Sequence, residues 1–173
     1  MQTAIQHLYK PPHEGNGLLY AWFLSMHTRV DIILYSQKPE RELLLVVNRI
    51  YDALYRLEKI ANFYDPDSEL SFVNRTASIS PIVLSEELYS MIDLCLEYNS
   101  KTLGYFDITV HSENYTQTTI HSVHLSAEEH SIHFSQPGVS INLSGFLKGY
   151  ALETIKGILN ESMIENALIN MGN

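Results

Sequence analysis

Ile141-Asn142-Leu143-Ser144-Gly145-Phe146-Leu147-Lys148-Gly149-Tyr150 is the stretch from which the chain is best understood. It passes from an apolar, strand-like end through small residues into a helical pattern with a lysine in its first turn. Such a turn offers free backbone N–H groups, the positive end of a helix dipole and an ammonium, all suited to a pyrophosphate. The plainer alternative is an ordinary strand-to-helix connection with a solvated Lys148, and this stretch alone does not separate the two.

Toward the C-terminus the pattern predicts a helix over 145–161 and an apolar strand over 167–171. The sequence stops at Asn173, where that strand enters a Gly-containing turn, and so reads as an interrupted domain. Toward the N-terminus, two short β-like runs near 120–125 and 131–134 are joined by polar turns, and a strand is expected over 105–111 after Gly104. Ser85-Glu86-Glu87 opens a helix whose Leu88, Met91, Ile92, Cys95 and Leu96 face inward. Pro39 starts the clearest element, a helix reaching about Phe63, with Leu43, Val47, Ile50, Leu54, Leu57 and Ala61 in one apolar stripe. Ser68 is placed to cap a short helix to about Asn74. Aromatic and branched residues in 18–25 and 28–35 predict a pair of strands, and the polar, Pro- and Gly-containing residues 1–17 read as an arm. The order β-β-α-α-β-β-β-α-β indicates an α+β fold, with 18–173 as one domain.

Composition narrows the partners. The 173 residues are 45% hydrophobic and carry a formal charge of −9, so a sequence-independent grip on nucleic acid or anionic membrane is not expected. An anionic ligand would need local donors, which returns attention to the Gly-Lys turn. The single cysteine, Cys95, excludes an intrachain disulfide and reads as a core thiol. No apolar run approaches the roughly 20 residues of a membrane span, and no signal-peptide pattern is visible, so the chain reads as soluble with its compartment open.

Two more stretches carry chemistry. In Thr102-Leu103-Gly104-Tyr105-Phe106-Asp107-Ile108-Thr109-Val110, aromatic residues can pack on an isoalloxazine or adenine ring while Asp107 accepts hydrogen bonds. The alternative is a core aromatic and a turn-capping aspartate. Tyr64-Asp65-Pro66-Asp67-Ser68-Glu69-Leu70-Ser71-Phe72-Val73-Asn74 has the acidic spacing of a calcium loop but lacks its glycine and terminal glutamate, which excludes calcium. His121, His124, His130 and His133 do not make a metal site by spacing, because strand residues three apart point to opposite faces.

Taken in order, these stretches resemble the ApbE-like FAD:protein FMN transferase family. Residues 64–74 are similar to its Y-x-P-x-S-E-L-x-x-x-N, 102–110 to its T-x-G-x-F-D-x-T-V, and 141–150 to its D-L-S/G-x-I-x-K-G-Y. Ser25-Met26-His27-Thr28 resembles its N-terminal M-G-T, and Leu168-Ile169-Asn170-Met171-Gly172-Asn173 the strand-turn after its lysine helix. The resemblance implies a mixed, mostly antiparallel sheet with packed helices, an ApbE-like (T-fold-like) domain of which this chain is the N-terminal half. It implies FAD as substrate, Mg2+, and transfer of FMN to a Thr or Ser hydroxyl of a target flavoprotein with release of AMP. Carried over position by position, Met26, Tyr64, Tyr105, Phe106, Asp107, Asn142 and Lys148 contact FAD, Lys148 is the catalytic cation, and the Gly145 carbonyl is one magnesium ligand.

The chain departs from the family in three places. Asn142 stands where an aspartate is usual; 110–141 is shorter than the norm and lacks a tryptophan-containing segment; and the family's C-terminal half, with its other magnesium ligands, is missing. A lone carbonyl does not satisfy magnesium's octahedral oxygen coordination. The alternatives to an enzyme completed by a homodimer, by a complementing C-terminal half or by sequence outside the one given are therefore a shortened, non-catalytic homologue that holds FAD or a protein partner, and an inert fragment with an exposed sheet edge.

Overall fold

The structure, a computed structural model, describes residues 5–12 and 15–172. Residues 1–4 and 13–14 of the expected arm, and Asn173 at the end of the strand-turn, lie outside the described residues. In chain order the elements are β1 (Gln6–Lys10), β2 (Gly17–Ser25), β3 (Thr28–Ser36), α1 (Glu40–Ala61), α2 (Glu69–Thr76), β4 (Ile82–Val83), α3 (Glu86–Lys101), a 3-10 turn (Thr119–Ser122), β5 (Val123–Ser126), β6 (Ser131–Phe134), α4 (Ser144–Glu161) and β7 (Asn166–Asn170). This is an α+β fold with antiparallel sheets, as expected. It forms two compact units, one of Met1–Glu58 with Lys148–Asn173, the other of Lys59–Leu147.

The first unit is a four-stranded antiparallel sheet in the order β1-β2-β3-β7. Alternation in β2 and β3 sends Leu19, Ala21 and Phe23 to the same face as their cross-strand partners Leu34, Ile32 and Val30, and all six are buried. Phe23 meets Tyr51 of α1 edge to face at 5.0 Å, which seats the apolar stripe of α1 on that face. Glu40 and Glu42 in its first turn and Lys59 in its last complement the helix dipole. β1 lies within the expected arm. Its residues are largely exposed, so it is not core; it is held by backbone pairing to the edge of β2, which needs no apolar alternation to advertise it.

The second unit has the three-stranded antiparallel sheet β4-β6-β5 beside α2 and α3. Ser68 and Ser85 cap α2 and α3 through their side chains, as read from the sequence. Cys95 is buried in the core, and burial pushes its thiol up to about 12, so it is an inert packing group. No helix among the described residues is long and apolar enough to cross a membrane.

The strand expected over 105–111 is not formed; these residues are turns. The cause is a side chain competing for the backbone: Asp107 Oδ1 accepts from Thr109 N at 2.7 Å and from Thr109 Oγ1 at 2.6 Å, closing an Asx-type turn. After the turn at Gly138, segment 139–143 joins neither a helix nor a sheet, and loops and side chains serve as its neighbours. Ser112 Oγ donates to Ser140 O at 3.1 Å and accepts from Ser140 N at 2.9 Å, while Asn142 N donates to Ile108 O at 2.8 Å.

Gly172, past the end of β7, has φ +82°, and a Cβ there would sit 2.0 Å from Thr28 Oγ1. Gly172→Ala should therefore destabilise the chain by about 2 kcal/mol in denaturant titration, from the left-handed backbone and the clash together. Adding Thr28→Ala should recover part of that loss by removing the hydroxyl; no recovery would mean that the contact is not made.

Candidate functional site

The 64–74 stretch is mostly a brace. Asn62 Oδ1 accepts from Tyr64 N at 2.9 Å, and Ser68 Oγ donates to Asn62 O at 2.7 Å while capping α2. Glu69 reaches the start of α3, accepting from Ser85 N at 2.7 Å and Ser85 Oγ at 2.6 Å. Asn74 grips Ile141 at both backbone groups, each at 2.9 Å. Asp65 accepts from Asp67 N and pairs with Lys59, and these two contacts hold its carboxyl below the usual carboxylate range. Tyr64 itself is left at the surface, 70% exposed and edge-on to Phe63. Both line a shallow depression of about 290 Å³ with Pro66, Ser71, Asn74 and Arg75.

α3 ends in a double closure: Gly104 N donates to Asn99 O at 2.8 Å and Leu103 N to Ser100 O at 3.1 Å. Both residues are left-handed, with φ +54° at Leu103 and +85° at Gly104. Tyr105 then projects into solvent, 94% exposed. Phe106 is half-buried against Tyr98, and its carbonyl accepts from Asn99 Nδ2 at 2.7 Å. Because the backbone turns here, Phe106 and Asp107 do not take the opposite faces a regular strand would impose. Asp107 accepts from Tyr115 Oη at 3.1 Å through its second oxygen. Burial, with that hydrogen bond second, raises the Tyr115 hydroxyl above its ordinary range and keeps it a donor.

At the start of α4, Asn142 is buried and its Oδ1 accepts from Ser144 N at 2.8 Å. Phe146 N and Leu147 N both donate to Leu143 O at 2.9 Å. The turn therefore offers fewer free amides than its sequence suggests; among the described residues, the Gly145 N–H is the open donor at this end. Gly145 and Lys148 are exposed in this first turn, and a Cβ at Gly145 would meet nothing within 4 Å. In the first unit, Met26 and His27 form the β2–β3 turn with φ +50° and +57°, and Met26 is 8% exposed.

Three expected contacts thus share one region of the second unit. Tyr64 leads through Phe63 to His111, whose ring lies 5.3 Å from that of Phe63, and His111 Nδ1 is 3.5 Å from Asn142 Nδ2. Asp107 joins them through the Asn142–Ile108 bond. Gly145 and Lys148 follow Asn142 along the chain. Met26 belongs to the other unit and is described there alone. Sequence reasoning did not single out His111, Asn99 or Tyr115; each acts through a contact between segments with no local spacing to announce it. Among the described residues, no group of three or more His, Cys, Asp or Glu side chains is placed to hold a metal. His124 and His133 are cross-strand partners, and His130 stacks on Tyr89 beside Glu86.

A sequence profile of the ApbE family matches residues 26–114 and 111–173. The FAD:protein FMN transferase of Treponema pallidum is 22% identical over 175 residues, covering 86% of this chain and 48% of that protein. That of Chlamydia muridarum is 25% identical over 163 residues, covering 82% and 50%. Among solved structures, the flavin transferase ApbE from Vibrio cholerae superposes with a TM-score of 0.73 at 18% identity, over 98% of this chain and 58% of that one. The ApbE protein of Thermotoga maritima does so at 0.76 and 23% identity, over 90% and 57%. The chain spans about half the length of the curated relatives it matches. With the profile matching nearly all of residues 26–173, and the fold shared, the chain belongs to the ApbE family.

Proposed function

We propose that this chain carries the FAD-binding part of an FAD:protein FMN transferase. One observation carries the reading: within the three family-like stretches, Ser68, Glu69, Asn74, Thr102 and Thr109 are consumed in internal hydrogen bonds, whereas Tyr64, Tyr105 and Lys148 are exposed on ordered loops and a helix end. Large aromatic side chains held outward beside open polar groups favour ligand binding over packing.

In this reading Tyr64 and Tyr105 pack on the planar rings of FAD, and Phe106 supports the loop from its half-buried place. The pyrophosphate lies at the first turn of α4, met by the Gly145 N–H and the Lys148 ammonium. Asn142 caps that turn through its Oδ1, and Asp107 completes the contacts in the second unit; a contact at Met26 is what the family resemblance implies. Lys148 then stabilises charge that develops on the phosphates as the P–O bond to the AMP part breaks and a Thr or Ser hydroxyl oxygen of a target flavoprotein bonds to the FMN phosphorus, the hydroxyl proton passing to water or to the departing AMP phosphate. Magnesium does not fit the described residues alone: the Gly145 carbonyl is one oxygen, and no carboxylate cluster joins it. Any metal at this site needs ligands beyond those described.

Titration of the chain with FAD, followed by flavin fluorescence, should show saturable binding. Lys148→Ala should weaken it about 10- to 100-fold, the loss of one charge-assisted phosphate contact. No binding at sub-millimolar FAD would overturn the reading. Asn142→Asp keeps an oxygen for Ser144 N and places a negative charge at the start of α4, which should add about 0.5 kcal/mol of stability. The same carboxylate should weaken magnesium-free FAD binding several-fold by repelling the pyrophosphate, and unchanged affinity would move the phosphates away from this turn.

A further inference from the structure

Two histidines of the second unit that spacing along one strand would set apart are brought together across two strands. β5 and β6 form a hairpin through residues 127–130, and its register places His124 directly opposite His133. The pleat that buries Val123, Ile132 and Phe134 sends both imidazoles to the other face, where His124 is exposed and His133 half-buried. Their ring centroids lie 6.4 Å apart with 23° between the planes. Directly opposed residues keep their Cβ atoms about 4.5–5.5 Å apart, so the backbone ladder holds the two rings side by side before any ligand arrives. Among the described residues neither ring makes a hydrogen bond or ion pair, whereas His130 is engaged by Glu86 and His7 by Glu40.

We infer that His124 and His133 form a bidentate site for a borderline divalent transition cation, of the class of Zn2+, Ni2+ or Cu2+. Imidazole nitrogens suit these ions, whereas Mg2+ and Ca2+ demand oxygen ligands. A Zn–N bond is about 2.0–2.1 Å long, and rotation of the two side chains about χ1 and χ2 brings one nitrogen of each ring onto a shared ion. Two protein ligands fall short of the three or four of a permanent zinc centre, so water fills the other positions and the ion exchanges freely. The second imidazole meets the ion at the high effective concentration that the hairpin sets, and the pair therefore binds more tightly than a single surface histidine. The surroundings favour a cation. Glu128 and Glu129 lie in the hairpin turn, residues 102–147 contain no Lys or Arg, and the whole chain carries a formal charge of −9. The site uses no residue of the proposed flavin region and stands or falls apart from it.

The test follows the side-chain 1H–15N resonances of the eight histidines during titration of the whole chain with Zn2+, without flavin. The rings of His124 and His133 should move together on one saturating curve, with one ion per chain and saturation below millimolar zinc. His124→Gln and His133→Gln should each weaken binding by about tenfold or more. The double variant should be less than about twofold weaker than either, because each change removes the same chelate. His121→Gln should leave the affinity unchanged, Cu2+ should bind more tightly than Zn2+, and Mg2+ should not bind. Without metal the melting temperature should be little changed in all variants, since both side chains stand outside the core. Zinc should raise it in the unaltered chain and not in the His124 and His133 variants. Separate curves for the two rings would overturn the inference and mark independent surface histidines. A response only at millimolar zinc, or unaltered affinity in the His124 and His133 variants, would overturn it as well.

Discussion

The pairing of the Asn74 carboxamide with the backbone N–H and C=O of Ile141 is the contact on which the candidate site depends. Ile141 is buried, so without Asn74 two backbone groups would lose their partners, at about 1–3 kcal/mol each. Asn74 acts as a neighbouring strand would, and Ser112 repeats the device at residue 140. Together with the Asn142–Ile108 bond, these contacts align the end of α2, the 107–112 loop and the approach to α4. The three family-like stretches are brought together by side chains bonding to backbone, where a sheet would use ladder bonds.

That arrangement explains what was legible in the sequence. Elements that bury a periodic face were readable: the α1 stripe from Leu43 to Ala61, the β2–β3 pair and the capped starts of α2 and α3 all follow from patterns within a short window. The 105–111 stretch was not, because its β-like residues say strand while Asp107 bends the chain through Thr109. β1 escaped for the opposite reason, being an exposed edge strand with no apolar alternation. At the site, Tyr64, Asp107, Asn142 and Lys148 stand out through their motifs. His111 becomes visible only when distant segments meet, since its contact with Asn142 spans 31 residues and leaves no local signal.

The motifs also divide their labour. Ser68, Glu69 and Asn74 hold the loops, and Thr102 with Asn99 holds the turn after α3, so the neighbouring Tyr64 and Tyr105 can be exposed without the loops losing order. Rigid support beneath exposed aromatics lowers the ordering cost of binding a planar ligand. Asp107 serves both sides, since its oxygens already hold Thr109 and Tyr115. The proposed flavin contact at Asp107 would share a carboxylate that the loop itself requires, which would tie ligand affinity to loop order.

The most direct test of a flavin site built on this braced framework is amide NMR of the labelled chain during titration with FAD. Shifts should concentrate at Tyr64, at 105–107 and from Asn142 to Lys148, while the α1 stripe and the β4-β6-β5 sheet stay still. Shifts confined to other surfaces, or none at millimolar FAD, would contradict the account.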